Sequence, residues 1–356
     1  MMRNAKGCAT ARGWRWTKAA VVALLGLACT DTRQPGDAGF PPVAETSVAW
    51  AQHDSVALHS WMPLEVKAES GTAAWIADAA LGGVLRFAPG AEDYRQMGMF
   101  ENPPEEMTRP VKLAFSRQFG LFVYDLEARE VQVYSPGGQP LRTFDPGFQP
   151  ARMELTSHPI GLIMAHLQRD ADSVARLVVV HMDLRGAQTD TLLSPGSRGP
   201  AALWDVPARG DSLSLAPSEA GMWAYSKAIS DTVFEISAQG EGRRIVLRPQ
   251  DRDALGILAD LDRDILWVVR PDPEATAAAE EKGLAVPPSY RYSAYDISRS
   301  GDEAATVRDA AFLGERRTPE GFEPRAAAEG IVIGWMPGTP YPNLAGVDMR
   351  VSGPGR

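Results

Sequence analysis

Cysteine is nearly absent from this chain of 356 residues: Cys8 and Cys29 are the two it has. Two thiols so placed leave no disulfide framework and no thiolate cluster for a metal. Histidine is scarce as well. His53, His59, His158, His166 and His181 are all there are, and none stands in an HxH or HExxH arrangement. No GxSxG nucleophile elbow occurs. Positive charge is in deficit, with 36 Lys and Arg against 45 Asp and Glu and a formal net charge of −9. The body has no basic run, which excludes phosphate-backbone recognition and therefore nucleic acid as a partner. No apolar run reaches the roughly 20 residues a membrane-crossing helix needs.

What the chain does have begins at the N-terminus. Arg3, Lys6, Arg12, Arg15 and Lys18 precede the apolar run Ala19–Ala28 (AAVVALLGLA), and Cys29 follows at once. A basic region, a short apolar core and a small residue before a processing point are the parts of an export signal. Ala28-Cys29 resembles the lipobox of bacterial lipoproteins, although Gly26 stands where that box usually has Leu, and Leu25 lies one step earlier. The resemblance implies that Cys29 is lipidated and becomes the mature N-terminus. Thr30, not Asp, follows it, which does not favour inner-membrane retention. Plain secretion with an unmodified Cys29 and an uncleaved anchor are the alternatives. Residues 1–28 are thus expected to be a lipoprotein-type signal peptide, 29–45 a flexible tether, and 46–356 the folded body. Losing residues 1–28 removes five cations and no anion, so the mature body is more acidic still.

With 33 Gly and 28 Pro the body is rich in turns, which suits many short strands. Two segments align without a gap: Trp75 to Gly90 (WIADAALGGVLRFAPG) and Phe122 to Gly137 (FVYDLEAREVQVYSPG). In both, an aromatic precedes Asp78 or Asp125 by three, and Val, an aromatic, Pro and Gly follow by six, nine, eleven and twelve. The pattern predicts a strand ending at Asp, a tight connection, a third strand and a Pro/Gly hairpin. An alternating stretch precedes each, and a fourth strand follows each (Tyr94 to Met97, Leu141 to Phe144). The Asp is expected to bond backbone amides of its own turn. Taking Phe87, Tyr134, Met182, Ile236 and Ile297 as equivalents gives spacings of 47, 48, 54 and 61. The longest contains an insertion, Pro271 to Ser289, whose Ala/Glu-rich centre can form a short helix. A sixth unit runs from Ile331 through Val351. It is expected to lack a fourth strand of its own and to borrow one from Ser47 to Leu58.

Repeats of this kind resemble those of NHL-repeat six-bladed β-propellers. The resemblance implies an all-β fold, a six-bladed β-propeller with the N-terminal strand closing the last blade. It marks a fold and not an activity.

Candidate site residues come from the ends of the second strands, where blade loops surround a channel mouth. There Arg109, His166, Lys227 and Arg270 form a candidate ligand-facing rim suited to an anionic or polar ligand; a merely solvated rim is the plainer alternative. Asn102 and Asn343 lack flanking motifs and are expected to serve turns beside proline. Trp223 and Trp267 take the strand slot of Trp75, so inter-blade packing is expected over sugar stacking, and Trp204 and Trp335 go with them. No catalytic residue, metal ligand or cofactor is assigned. The function expected is an extracytoplasmic, membrane-tethered binding or scaffolding module. It acts as a monomer, with an envelope protein, peptide or glycan as partner and a lipid anchor to the membrane. The alternative is a metal-dependent hydrolase or lyase of lactonase type working in the propeller channel.

Overall fold

The structure is a computed structural model that describes residues 44–51, 63–78, 83–87, 109–169, 174–194, 200, 203, 213–237, 242–281, 289–298, 307–308, 311–336 and 343–350. The signal, Cys29 and most of the tether, His53, His59, Asn102, Trp204 and the Tyr94–Met97 strand lie outside these residues.

Two short strands come first, β1 (Ala44–Glu45) and β2 (Ser47–Ala51). Six sheets follow in chain order. Blade 1 contains β3 (Pro63–Ser70), β4 (Ala73–Asp78) and β5 (Gly83–Phe87). Blade 2 contains β6 (Pro110–Ser116), β7 (Gly120–Asp125), β8 (Glu130–Tyr134) and β9 (Pro140–Phe144). Blade 3 contains β10 (Pro150–Ser157), β11 (Ile160–Arg169), β12 (Ala175–Met182) and β13 (Gln188–Leu193). Blade 4 contains β14 (Leu213–Pro217), β15 (Gly221–Ser226), β16 (Thr232–Ser237) and β17 (Arg244–Val246). Blade 5 contains β18 (Gly256–Asp260), β19 (Ile265–Pro271), helix α1 (Pro273–Glu281) and β20 (Tyr290–Asp296). After the short β21 (Val307–Arg308), β22 (Phe312–Arg317) completes blade 5. Blade 6 contains β23 (Glu323–Ala328), β24 (Ile331–Met336) and β25 (Asn343–Asp348). Helix α1 falls in the expected insertion.

Strand composition follows position in the blade. The second strands are the most buried, and β4, β7 (GLFVYD) and β15 (GMWAYS) are buried at every residue, because each packs against a neighbouring blade on both faces. The outer strand β9 (PLRTF) is largely exposed. Six apolar clusters, each drawn from two blades, lie between blades 1 and 2, 2 and 3, 3 and 4, 4 and 5, 5 and 6, and 6 and 1. The last is the decisive one: Val66, Ile76 and Leu85 pack on Ile331, Ile333 and Trp335, so the ring is closed and the fold is a six-bladed β-propeller. Trp223 and Trp267 are fully buried in two of these clusters, and Trp75 and Trp335 lie in two others.

The N-terminal strand closes blade 6 as expected: β2 pairs antiparallel with β25, with Ser47 opposite Asp348 and Val48 opposite Val347. Two additions were not expected. β1 pairs parallel with β22 of blade 5, and Thr46 fastens it through N–H and Oγ1 bonds to the Arg317 carbonyl at 3.1 and 2.7 Å. β21 pairs parallel with β17 of blade 4. The outer edges of blades 4, 5 and 6 are therefore each covered by a borrowed segment, which removes open hydrogen-bonding edges.

Asp125 does what the repeat implied. Its carboxylate accepts the N–H groups of Glu127, Ala128 and Arg109 at 2.9, 3.1 and 3.1 Å, closing the turn after β7. Gly120 opens that strand at φ +93°, and a Cβ there would stand 1.9 Å from the Tyr134 carbonyl oxygen. Only glycine fits that approach.

Candidate functional site

The innermost strands β3, β6, β10, β14, β18 and β23 lie side by side around the axis. Three of them open with the same three-residue device: Pro63-Leu64-Glu65, Pro110-Val111-Lys112 and Pro150-Ala151-Arg152. In each, the register with the second strand slips between the proline and the charged residue. A bulge of this type leaves one residue unpaired and re-aims the next. The re-aimed side chains are Glu65, Lys112 and Arg152.

These three meet Lys67 and Glu154 in one ion cluster spanning blades 1, 2 and 3. The Lys67 ammonium donates to Glu154 and, at 3.2 Å, to the Met153 carbonyl, so it reaches past blade 2 to blade 3. Arg152 Nε donates to Glu154 at 2.6 Å. Glu65 lies 3.4 Å from Lys67, 3.6 Å from Lys112 and 3.7 Å from Arg152. The side chains of Glu65, Lys67 and Glu154 are each under a tenth exposed, whereas Arg152 and Lys112 retain 21% and 30%. Burial and the neighbouring Arg152 pull the Lys67 ammonium below its usual range, against the opposing pull of Glu154 and Glu65. Burial works to raise the Glu154 carboxyl, but Lys67 and Arg152 outweigh it and hold it below the carboxylate range. Among the described residues the cluster contains three cations and two carboxylates.

Beside it is a cavity of about 350 Å³ lined by all six inner strands. Lys67, Arg152 and Glu154 form one wall. Ala216, Pro217, Leu258, Ala259, Ala327 and Ala328, from blades 4, 5 and 6, form most of the other, with the exposed Arg325 beside them. The cavity reaches Leu261 and the exposed Asp262, in the turn between the first and second strands of blade 5, so its mouth is on that side.

The expected rim residues are elsewhere. Arg109, His166, Lys227 and Arg270 lie at or near the other end of the inner strands, on four different blades, and none lines the cavity. Arg109 is exposed, and its backbone N–H serves Asp125. His166 is stacked on Phe148 with ring centres 4.1 Å apart, and burial lowers its pKa. Lys227 is exposed at the start of a 3-10 turn whose Ala228 N–H is capped by Ser226. Arg270 is only 9% exposed. It bonds Glu315 and lies 3.2 Å from Asp251. These belong to a second network in which Arg248, Arg270, Arg291 and Arg317 are matched by Asp251, Asp272, Glu274 and Glu315. Among the described residues four guanidiniums face four carboxylates there, so the charges balance.

The strand-opening Pro-x-charge triplets were the signal that sequence reasoning passed over. The alternation of Leu64-Glu65-Val66-Lys67 reads as a strand with one solvent face; only the ring turns that face inward.

No protein-family model matches the chain, and no curated protein matches it. Solved structures do. A Bacteroides fragilis protein described as exported shares 10% identity over 86% of this chain and 95% of its own, with a TM-score of 0.47. A protein assigned to the gluconolactonase family shares 12% over 89% and 96%, at 0.45. A streptogramin B lyase shares 10% over 85% and 98%, at 0.44. Likenesses of this size bear on no activity. Among the described residues no three His, Cys, Asp or Glu side chains are grouped to hold a metal ion, and no helix is long and apolar enough to cross a membrane.

Proposed function

We propose that this chain is an exported, lipid-tethered binding module of NHL-repeat type whose ligand occupies the central cavity. The observation that carries the proposal is the cavity itself. It is built by inner strands from every blade, one wall charged and one apolar, and its size falls at the lower end of small-molecule sites. Blade scaffolds hold such walls rigidly, because each second strand is locked between two neighbours. A basic region, a short apolar run and Cys29 support export and acylation. One anchor of two or more acyl chains would then keep the propeller at a membrane surface.

One preparation tests both parts. The full chain is expressed in a bacterium that processes lipoproteins, with an alkyne-labelled palmitate in the medium, and then screened against a polar-metabolite panel by thermal shift. Label should enter wild type and not Cys29→Ala. At least one panel member should raise the Tm of wild type and leave Ala327→Phe, whose added ring fills the cavity, unmoved. Equal stabilisation of both proteins would place the ligand elsewhere, and equal labelling of both would dispose of the lipid anchor.

A further inference from the structure

We propose that the cavity selects a monoanionic amphiphile: a carboxylate held against blades 1–3, with an apolar body laid on blades 4–6. This rests on the cavity being the binding site and adds the chemical class of what it takes.

Charge balance is the first argument. Among the described residues Glu65, Lys67, Lys112, Arg152 and Glu154 form one ion cluster across three blades with one positive charge in excess. Of these Lys67, Arg152 and Glu154 line the cavity; the other charged lining residues are accounted for, since Glu69 is bonded by Arg86, Arg325 pairs with Glu323 and Asp262 is exposed at the mouth. The Arg-rich network of blade 5 shows the contrast, being balanced among the described residues. The excess sits among Lys67, Lys112 and Arg152, of which Lys67 is buried and the other two only partly exposed, and a monoanion in the adjoining cavity would neutralise it. Donor geometry is the second. Arg152 lines the cavity; its Nε is taken by Glu154, but its Nη1 is 3.7 Å from Glu65, beyond hydrogen-bonding reach. The terminal nitrogens of a guanidinium match a carboxylate in planar, two-point fashion. The opposite wall is the third. Ala216, Pro217, Leu258, Ala259, Ala327 and Ala328 present methyl and methylene groups with no side-chain donor or acceptor. Their small size is what leaves the space. About 350 Å³ equals roughly a dozen waters at about 30 Å³ each, enough for a medium-chain acid.

Lys112 offers the sharpest variant. It is partly exposed, and Glu65 is its ion-pair partner, so it can be changed with little effect on packing. Lys112→Glu turns an excess of one positive charge into an excess of one negative charge.

The experiment is isothermal titration of the full chain in phospholipid nanodiscs with octanoate, octylammonium, octan-1-ol and acetate, with empty nanodiscs subtracted. Wild type should bind octanoate at least tenfold tighter than the other three. Arg152→Gln should weaken octanoate at least tenfold while leaving octanol unchanged. Lys112→Glu should reverse the order of octanoate and octylammonium, and it serves if Arg152→Gln does not fold. Octylammonium or octanol binding wild type as tightly as octanoate, with binding lost in Ala327→Phe, would overturn the anion and leave the cavity as the site. Octanoate binding undiminished in Ala327→Phe would overturn the inference by placing the probe outside the cavity. So would failure of octanoate to bind at all; the metabolite panel then still decides whether the cavity is a site.

Discussion

Glu154 accepts hydrogen bonds from both Lys67 and Arg152, and their charges outweigh the cost of burying its carboxylate. A carboxyl held below its unfolded pKa binds protons more weakly in the fold than in the coil. Its stabilisation is complete above the unfolded value and disappears as pH falls through the folded one. Lys67 works in the opposite sense. Its ammonium is pulled below the usual range by burial, so it carries a cost at neutral pH that is absent only where the lysine is neutral in both states. Lys67→Met keeps the stem and removes the charge. Glu154 then keeps Arg152 alone, and its pKa rises. The acid-unfolding midpoint should move to higher pH, while stability at pH 7 should change by about 1 kcal/mol or less, because the lost pairing with Glu154 is offset by relief of the burial cost that the Lys67 ammonium carries. That is less than the roughly 3–5 kcal/mol for a charge left with no partner. Fluorescence-monitored unfolding from pH 7 to 2 measures both, and an unmoved acid midpoint would contradict the pairing. Residue roles were unevenly legible in sequence. Asp125 was, because its turn is local and repeats at Asp78. Glu65, Lys67 and Arg152 were not, because the contacts that join their strands into one cluster, Lys67 with Glu154 and Glu65 with Lys112 and Arg152, run between blades.

Among elements, β2 bears the most on integrity. It places five residues on the otherwise open edge of β25, so its contribution is mainly ladder hydrogen bonding, and Val48 is 40% exposed. At about 1 kcal/mol net per bond, removing it should cost roughly 2–4 kcal/mol. It would also expose an edge open to aggregation. Deleting 46–51 should therefore lower the Tm by about 5 °C or more, while replacing Ala44 and Glu45 with glycine, which weakens only β1, should cost less. Equal melting of the 46–51 deletion and wild type in a calorimeter would refute closure by this strand. Closure was readable from sequence because a sixth repeat short of one strand and an unassigned β-like stretch at the start complete each other. The parallel additions β1 and β21 were not readable. Two-residue strands have no period to detect, and their partners β22 and β17 are set by how the chain passes between blades.

At the scale of the whole molecule, six inter-blade clusters hold the ring, and the inner strands give some residues to them, such as Val66, Leu113 and Met153, and others to the central cavity. Blades 1–3 bring Lys67, Arg152 and Glu154 to the cavity, and blades 4–6 bring mainly small apolar residues with Arg325 and Asp262 among them. The repeat period conveys the ring but not this division, since it appears only when strands distant in sequence face one axis. Alanine methyl groups report on it directly. With ¹³C-methyl alanine labels, Ala327 and Ala328 mark the cavity wall from blade 6 and Ala216 and Ala259 mark it from the edge of the core between blades 4 and 5, while Ala114, Ala165 and Ala224 mark cores that do not line it. Titrating octanoate into the labelled protein should shift the cavity methyls in a saturable way and leave the three core methyls in place. Saturable shifts confined to the core methyls, or no shift at any cavity methyl at millimolar octanoate, would contradict the account.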